Sequence, residues 1–446
     1  MSRMHSHSAI VAATVLLGSL GAVSFAPQAH AATLNVTNCN DSGPGSLRAT
    51  IAAAASGDTI DLRNLSCRVI RTTSVLSIPQ GSLTLQGPGY RRLSVDIDWS
   101  DSVLRHTGGG LLRLRGISLV HGTRRAPSAL GGCVYSNGAV DVYDTSISHC
   151  GALASGPGTT FGMGGGIYAE GDVTVRYSVI FANSGRGSFT AGGGVFSGGK
   201  VTLLRARIIQ GVASRGGGVY ATNGLSADTV TFFGNFALTD GAAINARGPV
   251  SIANSTISNN TAVRSAGGLW IEGAGPALIV NSTISNNRAD RWSAGFITPD
   301  VDIANSTIAF NRVAAGVDEP ECADEGALGI AGQLHLESSI ASNSTCIVVF
   351  DETPQHDIAI VGTDPVIGND NLVTSANQPM PADTITVDPV LGALADNGGR
   401  TQTHALPAAS PAVDVGNNAA GLAFDQRGVG FPRVNNGRAD IGAFER

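Results

Sequence analysis

The sequence predicts an all-β protein, a parallel β-helix, on three observations. A motif of small residues followed by an apolar one recurs roughly every 25 residues, each repeat holds three short runs alternating apolar and polar residues, and asparagines return at fixed places between the runs. The motif reads GGCVY, GGGIY, GGGVF, GGGVY, GAAIN, GGLW and AGFI, with its apolar anchor at Val134, Ile167, Val195, Val219, Ile244, Leu269 and Phe296. A second run follows each anchor, as in Asp172 to Ser178 or Pro249 to Ser255. A third apolar residue comes next, at Ile147, Ile180, Ile208, Phe232, Ile257, Ile284 and Ile308. Runs of period two that are short, β-branched and bounded by Gly or Asn are strands and not helices. A unit of three such strands cannot bury its apolar face alone, but stacked copies can, with each strand pairing to its counterpart about 4.8 Å away.

Stacking turns equivalent positions into columns. Asn183, Asn235, Asn260, Asn287 and Asn311 close one turn, and Asn254, Asn281 and Asn305 of the recurring NST lie in another. Stacked amides can satisfy one another and the turn backbone, which accounts for NST better than N-glycosylation does.

The flanks read differently. Residues 1–31 have the form of a signal peptide: Arg3, His5 and His7, then apolar Ala9 to Phe25, then Ala29-His30-Ala31 as a small-x-small cleavage site. Gly18, Gly21 and Pro27 argue against a membrane anchor, and no later stretch is long and apolar enough to span a bilayer. The expectation is a secreted product, with the periplasm as the other destination, unattached to membrane once the signal peptide is removed. In that compartment the six cysteines read as three disulfides between sequence neighbours, Cys39–Cys67, Cys133–Cys150 and Cys322–Cys346. None has CxxC spacing, so a zinc or thiol-redox site is not indicated. Residues 32–68 are expected to form an N-terminal cap, with a helix over 46–55 that starts at Ser46, stops at Gly57 and closes the open end of the solenoid. The repeats then run over 69–387. Residues 388–446 lose the repeat, gain Pro and Gly, and are expected to pack along or over the other end. Lys and Arg total 28 against 34 Asp and Glu, a net charge of -6, which excludes a globally basic nucleic-acid binder. Lys200 is the single lysine, so any cationic surface is built from guanidinium groups.

Both flanks carry a family resemblance. GPGSLRATIAAAASGDTIDL resembles the capping segment of secreted bacterial β-helix proteins of the CSLREA type, with Gly45 and Ala49–Thr50 replacing the Cys and the Glu-Ala of that name. DNGG-x-T, HAL, SPAVD-x-G, DQRG and DIGAFE, in that order over residues 388–446, resemble a choice-of-anchor Q domain. With the repeats, the resemblance covers almost the whole mature chain. It implies an exported right-handed β-helix, a pectin-lyase-like solenoid, and assigns no activity. Relatives commonly carry a sorting signal beyond the DIGAFE-like ending, whereas here Arg446 follows it, so a released or periplasmic product is expected.

The residue after each anchor should face outward: Tyr135, Tyr168, Phe196, Tyr220, Asn245, Trp270 and Ile297. Five of these seven are aromatic in a chain that is 5% aromatic. Flat rings with polar tips suit the faces of pyranose sugars, the alternative being a self-packed or loop-covered stack. Arginines gather in the expected loops leading into the same strand: Arg124, Arg125, Arg186, Arg215, Arg264, Arg288, Arg291 and Arg312. Folded over the aromatic column they would hold carboxylates or sulfates of a polyanionic glycan; otherwise they are solvated turn residues. The candidate substrate-binding set is therefore Tyr135, Tyr168, Phe196, Tyr220, Trp270, Arg186, Arg215, Arg264 and Arg291.

Catalytic residues are not identifiable. Asp141, Asp172, Arg176, Lys200, Asp228 and Asp302 should face outward from the second strand but scatter over different coils without forming a pair, as a hydrolase or lyase would need. Five acids, Asp318, Glu319, Glu321, Asp324 and Glu325, crowd the expected Cys322–Cys346 loop, where Ca²⁺ is one reading. They lack the alternating Asp-x-Asp spacing and turn glycine, which favours a solvated loop, and no other cofactor is indicated. His121, His149 and His404 read as turn or packing residues. Two functions remain open. One is a monomer that interacts with an acidic polysaccharide or cell-surface glycan and, if an enzyme, is a lyase or hydrolase. The other is a non-catalytic surface or matrix adhesin or structural protein.

Overall fold

The computed structural model describes residues 31–314, 326–348 and 351–446. The chain is an all-β parallel β-helix, and among the described residues its coils feed three sheets up to residue 122 and four from residue 123 onward, instead of the expected three throughout. The first sheet has 11 strands, from Leu76–Ile78 to Ile358–Ile360, and contains the anchor strands such as Val134–Ser136. The second has 12, from Thr33–Asn35 to Leu334–Glu337, and the third has 12, from Val69–Arg71 to Leu372–Val373. The fourth starts at Thr123–Ala126 and has 13. Its strands are short and carry Gly, Ser and Arg, as in Gly151–Ala154 and Ser184–Arg186, so they show little of the alternation that marks the other three. Most of the arginines expected in loops lie on these strands: Thr123–Ala126 holds Arg124 and Arg125, Ser184–Arg186 holds Arg186, Val212–Arg215 holds Arg215, and Arg288–Ala289 and Arg312–Ala314 follow higher up, while Arg264 and Arg291 fall just after strands.

One register differs from expectation. Leu269, Trp270 and Ile271 pair with Gly295, Phe296 and Ile297, so Gly295 holds the anchor position, Phe296 faces outward and Ile297 is fully buried. Alternation of period two means that a slip of one residue exchanges the faces.

The corners explain the repeat signature. Entering the first sheet, Gly164, Gly192 and Gly216 adopt φ of 63°, 63° and 57°, a left-handed conformation that suits glycine. The next glycine is required for closeness: a Cβ on Gly193 would lie 2.5 Å from Gly217 O and from Val212 N. Between the second and third sheets, Asn254, Asn281 and Asn305 take φ of 51°, 53° and 45°, which Asn tolerates better than most residues. After the third sheet the other asparagines form a buried ladder: Asn235 Nδ2 donates to Asn260 Oδ1 at 2.9 Å, Asn260 to Asn287 at 2.9 Å and Asn287 to Asn311 at 3.1 Å.

At the N-terminal end the helix spans Leu47–Ala53, and Ser46 caps it by accepting from Ala49 N at 3.2 Å. Leu47 and Ile51 are buried in the same core as the strands, so the helix closes the open end. The preceding strand Thr33–Asn35 already pairs with Thr59–Asp61, so the expected cap also supplies the first strands of the second sheet. Cys39–Cys67 and Cys133–Cys150 are bonded, with Cα atoms 6.4 and 5.4 Å apart. Cys346 is disulfide-bonded too, while Cys322 and the acids Asp318, Glu319, Glu321, Asp324 and Glu325 lie outside the described residues. Residues 1–30 of the expected signal peptide do so as well. Among the described residues no helix is long and apolar enough to cross a membrane.

Residues 388–446 return along the outside of the third sheet. Gln426 enters between coils, accepting from Thr283 Oγ1 at 2.6 Å and donating to Thr256 Oγ1 at 3.0 Å. Ala443 N donates to Thr307 Oγ1 at 3.0 Å, and Asn305 Nδ2 donates to Asn417 O at 2.9 Å. Outward-facing Thr256, Thr283, Ser285 and Thr307 are thereby buried. His404 is buried with them. Its Nδ1 faces the Gly392 carbonyl at 2.7 Å and must donate, so Nε2 is bare and accepts from Ser285 Oγ at 2.8 Å.

Burial holds the His404 imidazole below its ordinary pKa of 6.5, in favour of the neutral form. Its contribution is therefore complete above about pH 6.5 and is lost as pH falls through that value, where the unfolded chain takes up a proton that the folded chain refuses. The urea midpoint is expected to fall between pH 7.5 and 5.5, and His404→Gln to show a smaller fall. Equal slopes for both proteins would exclude this histidine as the cause.

Candidate functional site

The expected aromatic column forms. Arg105, Tyr135, Tyr168, Phe196, Tyr220, Asn245, Trp270 and Phe296 pair in register on the outer side of the first sheet. Rings one coil apart stack face to face: Tyr135–Tyr168 at 5.5 Å, Tyr168–Phe196 at 5.0 Å and Phe196–Tyr220 at 5.5 Å, all within 5° of parallel. The Arg105 guanidinium covers the lower end, 4.1 Å from the Tyr135 centroid. Strand spacing is close to ring thickness plus contact, so each ring occupies its neighbour's face and the column presents edges and hydroxyls outward. Tyr168 and Tyr220 are buried, while Tyr135, Phe196 and Trp270 are half-buried. Tyr168 OH donates to Glu170 Oε1 at 2.7 Å, and burial together with that carboxylate raises the phenol well above its usual pKa.

Asn245 breaks the column between Tyr220 and Trp270. It is 2% exposed and its Oδ1 has no hydrogen-bond partner among the described residues. Above the break, Trp292 turns in from the corner with φ of 49° and stacks on Phe296 at 4.1 Å. Beside the break runs a column at the end of the fourth sheet, in which Arg215, Asp240, Ser265 and Arg291 pair in sequence. Arg215 Nε lies 3.6 Å from Asp240 Oδ2. Burial raises the Asp240 carboxyl above its ordinary pKa, against the lowering by Arg215 and Arg264. Glu272 accepts from Arg247 Nε at 2.7 Å and from Trp270 Nε1 at 3.3 Å. The fold thus brings Arg215 and Arg264 to Asp240, with Arg291 two coils further along the same column. Arg186 stands on lower coils, where it lines a cleft of 280 Å³ with Arg125, Trp99 and His149. Arg186 and Arg264 are exposed and make no side-chain hydrogen bond among the described residues.

The second sheet departs from expectation. Asp141 and Arg176 do pair, at 2.8 Å, and Arg115 joins them at 3.0 Å. Residues 35 apart meet because neighbouring coils place them one strand apart. Aligning the repeats from residue 69 onward would have revealed this. Among the other candidates, Asp172 accepts from Lys200 N at 2.8 Å, Asp228 from Asn254 Nδ2 at 2.8 Å, and Asp302 lies 3.1 Å from His335 Nδ1. His121 and His149 join a row of rings after the third sheet, with centroids 5.9 Å apart, between Trp99 and Phe181. Among the described residues no group of three or more His, Cys, Asp or Glu is placed to hold a metal ion.

No protein-family model and no curated protein sequence matches the chain. Among solved structures it is similar to the crystal structure of pectate lyase Pel9A, at 14% identity and a TM-score of 0.45, over 94% of this chain and 98% of that one.

Proposed function

We propose that this protein is exported and binds an extracellular acidic polysaccharide along the face shared by its first and fourth sheets. The observation that carries the reading is the group of arginines at the edge of the fourth sheet beside the column of ring edges: Arg215 and Arg291 share one column with Asp240 and Ser265, exposed Arg264 acts on the same Asp240, and Arg186 stands lower on the same sheet in its own cleft. A polymer that carries anionic groups along its length is a ligand such a group of arginines can hold at more than one point, and planar guanidinium groups suit carboxylates and sulfates. Because the ring faces are already occupied, the aromatic column would contribute hydroxyls and edges, leaving selectivity to the arginines. The bonded cysteines support an oxidising compartment.

Affinity electrophoresis of the mature chain in gels containing polygalacturonate, alginate or a neutral glucan tests this directly. Retardation is expected in one or both acidic gels and absent in the neutral gel. Arg186→Ala/Arg264→Ala is expected to weaken it about tenfold, equivalent to roughly 1.4 kcal/mol. The same incubations read for unsaturated uronates by absorbance, and for reducing ends, separate binding from lyase or hydrolase action. No retardation in any acidic gel would return the weight to an adhesive or structural role.

A further inference from the structure

The corner between the second and third sheets lies on a different face from the aromatic column. One residue per coil there adopts the left-handed conformation: Asp144, Tyr177, Arg205, Thr229, Asn254 and Asn281, with φ between 47° and 57°. The sharp bend turns these side chains out of the coil core; Asn281 is then covered by the C-terminal segment, its Nδ2 donating to Phe424 O at 3.2 Å, and the others line the corner. Five strand steps separate Asp144 from Asn281, about 24 Å at the usual interstrand spacing of about 4.8 Å.

Two clefts lie on this line. The lower, of 520 Å³, has Gly87, Pro88 and Gly89 on one side and Arg63, Arg92, Arg115, Tyr143 and Asp144 on the others. Arg63 is engaged by Asp61 and Arg115 by Asp141, whereas the Arg92 and Asp144 side chains make no hydrogen bond among the described residues. The upper cleft, of 680 Å³, lies between the corner and the returning C-terminal segment, and Arg205, Asp228, Asn254 and Arg400 line it. A bridge of side chains connects them. Tyr143 of the lower cleft meets Tyr177 edge to face at 5.4 Å, and Tyr177 lies under Arg205 of the upper cleft, 5.6 Å from the guanidinium. Tyr143 and Tyr177 are 39% and 41% exposed, in contrast to the stacked column of the first sheet.

We propose that this corner furrow binds a linear chain of acidic sugars, a site additional to the face proposed above and resting on the same reading of the ligand class. Guanidinium groups already lie 5.6 Å from the Tyr177 ring and 5.7 and 5.9 Å from the Tyr143 ring, so the tyrosines offer their exposed edges to sugar rings. Arg92 offers a forked donor to a carboxylate, and Arg205, whose Nη1 donates to Tyr177 OH at 3.3 Å, offers its remaining N–H groups. Asp144 and the second carboxylate oxygen of Asp228 offer acceptors to ring hydroxyls, while Asn254 is held by Asp228 and Asn281 and positions Asp228. The acids among the arginines select a ligand that carries both anion and hydroxyl on each unit, which a bare phosphate or sulfate ion does not.

The test is isothermal titration of the mature chain with a galacturonate hexamer at low salt. Wild type is expected to bind two hexamers per chain, Tyr177→Ala/Arg205→Ala one, and Arg186→Ala/Arg264→Ala the other one. A stoichiometry unchanged by Tyr177→Ala/Arg205→Ala overturns the furrow. One hexamer per wild-type chain that is lost only in Tyr177→Ala/Arg205→Ala keeps the furrow and removes the first face. No heat of binding in wild type ends the glycan reading for both. All replaced side chains are on the surface, so equal urea midpoints serve as the folding control.

Discussion

Asn260→Ala is expected to lower stability by about 3–5 kcal/mol, read as a large fall in the urea midpoint. Asn260 is fully buried in the asparagine ladder, and its amide serves neighbours on both sides. Its Oδ1 accepts from Asn235 N and from Asn235 Nδ2, both at 2.9 Å. Its Nδ2 donates to Phe232 O at 3.2 Å, Ser258 O at 3.0 Å and Asn287 Oδ1 at 2.9 Å. Alanine leaves two donors and up to three acceptors short of a partner where water does not reach, at roughly 1–3 kcal/mol for each group left unsatisfied. Asn260→Asp separates geometry from volume: it keeps the acceptor for Asn235 but sets a carboxylate against the Phe232 and Ser258 carbonyls and Asn287 Oδ1, so it should be no milder. If Asn260→Ala shifts stability by less than about 1 kcal/mol, the ladder does not hold the turns together.

Arg433→Met should cost a similar amount, about 3–5 kcal/mol, and should show first in the C-terminal segment. The Arg433 side chain is fully buried, donating to Gly442 O at 2.8 Å, Asp440 O at 3.0 Å and Glu445 Oε2 at 3.0 Å. Burial lowers the pKa of this guanidinium, against which Glu445 acts first, and raises that of the Glu445 carboxyl, against which the Asp440 backbone N–H, Arg433 and the Asn435 backbone N–H act. Methionine fills much of the space but strands a buried carboxylate and two carbonyls. Limited proteolysis should then release residues 388–446 while the coils stay resistant. Arg433→Met/Glu445→Gln should regain part of the loss, because the stranded charge is gone. A double variant no more stable than the single one would show that packing, and not the ion pair, fastens the segment.

The two variants also mark what can be read from a linear chain. Asn260 announces itself, since asparagines at one phase of a repeat have few reasons to recur other than a ladder. Arg433 does not: within its motif it resembles any surface arginine, and only the fold of residues 388–446 surrounds it. Phe296 fails in a third way. AGFI matches the motif with Phe as its anchor, but a glycine fits the inward position beside Leu269, and the ring belongs to the outer column.

Sequence alone determined the solenoid, its glycine corners, its asparagine columns and the aromatic row, because a structure that repeats along the chain writes the same local constraint many times over. Tertiary structure alone decided the fourth sheet, the mutual stacking of the rings, the Arg115–Asp141–Arg176 cluster, the burial of the third sheet by the C-terminal segment and the corner furrow. Each of these depends on side chains from different coils or from the distant tail meeting across about 5 Å, and their spacing in sequence varies with every insertion between the coils.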